Sequence, residues 1–142
     1  MKTKQWIIEI IIFLLAALFL YTAVDKLLDF KQFTHQINNQ PFNNSLTPFL
    51  AHVLPATEIL LTLLLLWPKT SLTGLYGSAG LLTVFTTYTA LVTFNFYDRV
   101  PCGCATAFEH LSWPVHLVIN SGFLILAITG ICLQRFRRRK TP

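Results

Sequence analysis

Two thiols one residue apart, Cys102 and Cys104, carry the clearest chemical signal in this chain. A disulfide between cysteines so close lies near the limits of ordinary bridge geometry. Strain of that kind makes a bridge easier to reduce, which suits an exchanging pair better than a permanent staple. Gly103 supplies the permissive backbone that so tight a ring needs. Two other readings stand beside this one. The thiols can be unpaired small residues near a turn, or they can join His110 and His116 in a soft-metal site for copper(I) or zinc.

A second group of polar residues lies inside stretches that are otherwise apolar. Glu58 is a carboxylate within an apolar run, where it costs several kcal/mol unless protonated or paired. Lys26, at the end of another apolar run, is the expected partner, with Tyr21 about one turn deeper. Ser112, His116 and Asn120 recur every four residues and so share one helical stripe. These six residues form the expected supporting network around the catalytic candidates Cys102 and Cys104. The alternative is a polar network that only fixes helix packing. Cys132 lies too far along the chain to pair with either thiol and reads as a small packing residue.

The elements that must position these groups follow from composition. With 142 residues, 54% hydrophobic and 12% charged, the chain is far from the soluble balance, and its apolar residues fall in blocks long enough to cross a bilayer. Four such helices are expected, at about 6–24, 48–67, 72–96 and 113–133. The first resembles a signal peptide only superficially, because Tyr21 stands where a small residue is wanted before a cut after Ala23. In the second, Thr47 is the expected N-cap, Pro48 the first helical residue, Pro55 a kink and Pro68 the stop. The third has Gly74, Gly77, Ser78 and Gly80 in its first half, which marks a helix interface. The fold class is therefore an all-α membrane protein, with residues 1–142 forming one membrane domain.

Orientation follows from the cations. Lys2, Lys4, Lys69, Arg135, Arg137, Arg138, Arg139 and Lys140 fall on one side, against Lys26, Lys31 and Arg99 on the other. The positive-inside rule then puts both termini and the basic tail 134–142 in the cytoplasm, with segments 25–47 and 97–112 outside. The cysteines thus face an oxidising compartment, where free thiols seldom persist. Within 25–47, Leu27, Phe30, Phe33 and Ile37 recur at helical spacing, so a short interfacial helix is expected between the first two spans. The net charge of +5 is accounted for by this topology signal and by anionic lipid, and calls for no nucleic-acid partner.

Four stretches also resemble a known family. They are Tyr21-Thr-Ala-Val-Asp-Lys26-Leu-Leu-Asp-Phe30, Leu54-Pro-Ala-Thr-Glu58, Val100-Pro-Cys-Gly-Cys104 and Leu111-Ser-Trp-Pro-Val-His-Leu-Val-Ile-Asn120. In this order they resemble the MauE branch of the DoxX-like membrane proteins over nearly the whole chain. The resemblance implies a four-helix protein of the bacterial inner (cytoplasmic) membrane engaged in redox work. The family is named for a member needed to mature a disulfide-rich methylamine dehydrogenase subunit beside a thioredoxin-like partner, and wider relatives are linked to quinone-dependent sulfur oxidation. It places the family's cysteine pair on Cys102 and Cys104, its acidic position on Glu58 and its fourth-helix polar positions on His116 and Asn120. The chain departs from many members in having Ala105-Thr106 after the pair, and from some in having Ile119 before Asn120.

Residues and resemblance lead to one expectation, thiol–disulfide exchange between the outward Cys-Gly-Cys pair and a thioredoxin-like or client protein, with a quinone as electron acceptor. A noncatalytic subunit or assembly factor of a larger membrane complex is the alternative from another class, favoured by the glycine-rich third helix. Soft-metal handling is the third.

Overall fold

The computed structural model describes residues 2–38, 44–94 and 113–140. They form five α-helices: α1 (Lys2–Leu28), α2 (Phe30–Asn38), α3 (Thr47–Leu66), α4 (Ser71–Thr93) and α5 (Trp113–Lys140). A 3₁₀ turn, Asn44–Leu46, precedes α3. Four of the helices, all but α2, are long and apolar enough to cross a membrane, and α2 is the expected short helix between the first two. No more than 39% of any spanning window is buried within the chain. The remaining faces carry exposed residues such as Phe13, Leu63, Val84 and Val118, an outward apolar surface suited to lipid.

Helix order around the bundle is α1, α3, α4, α5 and back to α1, with α1 and α4 barely touching. Its core is a band of Leu15, Phe19, Leu61, Leu65, Leu75, Leu82 and Ala127. The small residues of α4 let this ring close. A Cβ on Gly74 would stand 2.9 Å from the backbone nitrogen of Leu65, so α4 crosses α3 at backbone contact. A Cβ on Gly77 would meet the Leu61 side chain at 2.5 Å, whereas Gly80 faces open space. The expected interface is therefore an internal one, from Gly74 to Ser78.

Sequence chemistry sets the helix ends, with several departures from expectation. Trp67, the residue before Pro68, is extended at φ −90° and ψ 120°, which stops α3 because proline excludes helical geometry from its predecessor. Thr47 is the first residue of α3 and not its cap. Leu46 precedes it in helical geometry, and the Thr47 hydroxyl donates instead to Asn38 Oδ1 at 2.6 Å, tying α3 to α2. Pro55 lies buried inside α3, which continues past it.

The expected surface helix starts later than Asp25, because α1 runs on to Leu28. Phe33 and Ile37 of α2 pack on Ala51 of α3, so the apolar face of α2 turns to the protein. Leu27, read as part of that stripe, is half exposed on α1. Likewise, residues 134–140 are no separate tail: α5 continues through them, built from good helix formers whose cations suit the helix C-terminus. Gln134 is buried there and donates to Ser71 Oγ at 2.8 Å.

That hydrogen bond, together with Lys4 over the Phe136 ring, gathers the start of α1, the α3–α4 turn and the end of α5 at one end of the bundle. All eight cations of the terminal group belong to those segments. Exposed Trp6 and Trp67 lie at the same end, and Phe49 and Phe94 at the other, as in aromatic belts.

Candidate functional site

The inner face of α1 repeats every three or four residues through Ile8, Ile11, Leu15, Phe19, Thr22 and Lys26, all buried. The periodicity that builds the core therefore carries a hydroxyl and an ammonium into the bundle as α1 nears its end. On α3 the matching face runs through Ala51, Pro55, Glu58, Thr62 and Leu65. Where the two faces meet, Lys26 Nζ donates to Glu58 Oε1 at 2.5 Å, with side-chain exposures of only 2% and 1%.

Pairing makes this burial tolerable. An isolated ion at that depth costs several kcal/mol, whereas the pair is net neutral and charge-assisted. The Phe33 and Phe85 rings stand 5.7 and 6.0 Å from the Lys26 ammonium and add cation–π attraction in a dry setting. Glu58 is less fully served. Its Oε2 accepts no hydrogen bond among the described residues. The nearby Thr22 hydroxyl commits its proton to the Phe19 carbonyl at 3.1 Å, and the Thr62 hydroxyl donates to the Glu58 backbone carbonyl at 2.9 Å.

Glu58, Lys26 and Thr22 line a cavity of about 30 Å³ with His116 and Asn120 from α5. Leu18, Phe19, Leu82 and Phe85 form its apolar walls. His116 is buried at 3% exposure, and Asn120 donates to Thr89 Oγ1 of α4 at 3.3 Å. All four spanning helices thus line one pocket, to which α1, α3 and α5 bring the polar groups. It has room for one or two waters, and a buried carboxylate oxygen with a vacant acceptor position can take a hydrogen bond or a proton there.

The structure brings together Lys26, Glu58, His116 and Asn120 from the expected network. Tyr21 is placed elsewhere: it is 55% exposed on the outer side of α1 and does not line the cavity. Cys132 is exposed on α5 and so is not the packing residue expected. Cys102, Cys104, His110 and Ser112 lie outside the described residues. Of the alternative metal set only His116 is described, and it shares its cavity with the Lys26 ammonium. Thr22, Phe85 and Thr89 were not anticipated. Thr22 stands four residues before Lys26 and was legible in principle as its neighbour on the same face.

Comparison with curated proteins found no match, and neither did comparison with solved structures. A family model described as methylamine utilisation protein MauE matches residues 4–133. That span runs from the first turn of α1 to Leu133 of α5, taking in the Lys26–Glu58 pair, the cavity and the Cys-Gly-Cys segment but not the basic end of α5. With nearly its whole length matched, this multi-span membrane protein belongs to the MauE family.

Proposed function

We propose that this protein is a membrane thiol–disulfide redox protein in which Cys102 and Cys104 exchange disulfides with a thioredoxin-like or client protein. The observation that carries the reading is the buried Lys26–Glu58 pair, whose open carboxylate oxygen lines a cavity shared with His116 and Asn120. Segment 95–112, which holds both cysteines, connects the end of α4 to the start of α5. His116 lies in the first turn of α5 and Lys26 in the last turn of α1, so both stand at the end of the bundle where α4 finishes and α5 begins. We further propose that this end faces away from the cytoplasm, since the opposite end carries eight cations. The inner membrane is the bilayer this orientation implies.

In this scheme one thiolate attacks a sulfur of the client disulfide, forms a mixed disulfide and expels the second client sulfur as a thiolate. The other cysteine then attacks the mixed disulfide. The client leaves as a dithiol, and a Cys102–Cys104 bridge remains. Two electrons pass to the client, and the protons lost by the two cysteines balance those gained by the client thiols. The reverse sequence oxidises the client. Glu58 and His116, which share the cavity, are suited to hold a proton at that end of the bundle. A quinone does not fit the cavity: about 30 Å³ compares with about 150 Å³ for a cavity that holds a single benzene ring.

The family name associates such proteins with methylamine utilisation. That connection fits maturation of a disulfide-bearing client and requires no methylamine site in this chain. The glycine-rich face that favoured a noncatalytic scaffold is instead packed on α3 at Gly74 and Gly77.

The deciding experiment uses single Cys102→Ala and Cys104→Ala variants, screened on non-reducing gels for trapped mixed disulfides. One variant should accumulate a covalent adduct that reductant releases, and the double variant should lose function. A double variant with normal function would establish the scaffold reading in its place.

A further inference from the structure

At the end of the bundle opposite the cavity, α1 and α5 bring two ammonium groups to one aromatic ring. Lys4 Nζ lies 4.5 Å from the centroid of Phe136, and Lys140 Nζ lies 4.6 Å from the same centroid. The two cations are therefore within twice that distance of each other. Each is drawn to the ring, yet they repel, and neither forms a salt bridge among the described residues. Glu9, the acid on this part of α1, accepts a hydrogen bond from Gln5 at 3.0 Å. Arg135, Arg138 and Arg139, all exposed, add positive charge in the last turns of α5. Continuation of α5 to Lys140 is what holds this charge beside α1.

The surface beneath these cations is apolar. Ile7 and Leu14 are each 41% exposed on α1, and Phe136 and Ile125 lie on one face of α5 at 45% and 64% exposure. Cationic heads directly above a lipid-facing strip match the two halves of a phospholipid. A soluble anion would use only the first half. Anionic headgroups of a bilayer that these helices cross would meet this end of the bundle, and each nearby basic residue strengthens their attraction.

We propose that the surface where the start of α1 meets the end of α5 binds an anionic phospholipid, its phosphate between Lys4 and Lys140 and an acyl chain along Ile7 and Leu14. This site is independent of the cysteine chemistry.

The test is native mass spectrometry of the full chain from nanodiscs containing equal phosphatidylglycerol and phosphatidylcholine. The wild type should retain phosphatidylglycerol preferentially. A Lys4→Gln/Lys140→Gln double variant should lose that retention by about tenfold. A Lys2→Gln/Lys69→Gln control removes the same charge outside the Phe136 contact and should keep it. Phe136→Leu, which preserves an apolar side chain but removes the ring that gathers the cations, should weaken retention. Equal loss in both double variants would reduce the effect to diffuse charge and overturn the site, as would equal retention of the two lipids by the wild type.

Discussion

Lys26 and Glu58 meet at 2.5 Å although 32 positions separate them in the chain, and neither side chain has more than 2% of its surface exposed. The pair joins α1 to α3 at the depth where the cavity opens toward α5. Removing one partner from such a pair leaves an uncompensated charge, which typically costs about 3–5 kcal/mol. Lys26→Met and Glu58→Gln should each destabilise the bundle, while the Lys26→Met/Glu58→Gln double variant should cost clearly less than the sum. Denaturation of detergent-solubilised protein in a double-mutant cycle measures the coupling. Additive losses would show that the pair is not formed.

Glu58 also bears on function separately from stability. Glu58→Gln keeps the side-chain shape and an acceptor oxygen but cannot take up a proton. If Oε2 handles a proton during exchange, this variant should remain folded at permissive temperature yet turn over client disulfides at least tenfold more slowly. Wild-type turnover in Glu58→Gln would remove the residue from the mechanism.

Gly74 and Gly80 stand six positions apart on α4 and predict opposite responses. A Cβ at Gly74 would press on backbone atoms of Leu65 and Leu64, at 2.9 and 3.0 Å, which cannot give way without parting the helices. Gly74→Ala should cost about 1–3 kcal/mol by overpacking. Gly80→Ala meets nothing within 4 Å and should be neutral or stabilising, since alanine is the better helix former by about 1 kcal/mol. Thermal melts of the two variants in one detergent compare them directly, and equal melting temperatures would contradict the close crossing of α3 and α4.

Much of this architecture was legible in the sequence because the bilayer imposes strict conditions on a chain. Apolar blocks of spanning length give the four long helices, and the cost of a lone intramembrane carboxylate leads from Glu58 to Lys26. Four-residue spacing correctly places His116 and Asn120 on a face turned inward. Spacing was less informative where a residue stands one position off the inner face. Tyr21 adjoins Thr22, but a helix turns about 100° between them, so Thr22 lines the cavity and Tyr21 does not. Thr89 escaped notice for a different reason: threonines in these helices usually bond their own backbone, as Thr62, Thr83 and Thr129 do, and composition does not mark the one that also receives Asn120. The end of α5 was misjudged because apolar character stops near Leu133 while helix propensity continues.

Topology supplies a further test. The eight cations gathered at one end should hold that end in the cytoplasm. A membrane-impermeant thiol reagent added to intact spheroplasts after reduction should label Cys102 or Cys104 and spare Cys132. In a background lacking all three native cysteines (Cys102→Ala/Cys104→Ala/Cys132→Ala), a Lys69→Cys variant in the exposed α3–α4 turn should be labelled only after permeabilisation. Labelling of Lys69→Cys in intact cells would invert the orientation and remove the thiols from the oxidising side.

The redox reading rests finally on the potential of the cysteine pair. A bridge across one intervening residue closes a short, strained ring, and strain raises a disulfide's reduction potential above the structural range. Each 30 mV of that rise corresponds to about 1.4 kcal/mol for a two-electron couple, so modest strain is enough to make the bridge exchangeable. A redox titration in nanodiscs, read by a mass-changing thiol label, should give one two-electron transition for Cys102 and Cys104 at a potential above roughly −300 mV. Cys132 should titrate separately, without a partner. A potential below that value would mark a structural bridge. Thiols that never oxidise, but bind copper(I) or zinc stoichiometrically, would favour a metal site and displace the exchange mechanism.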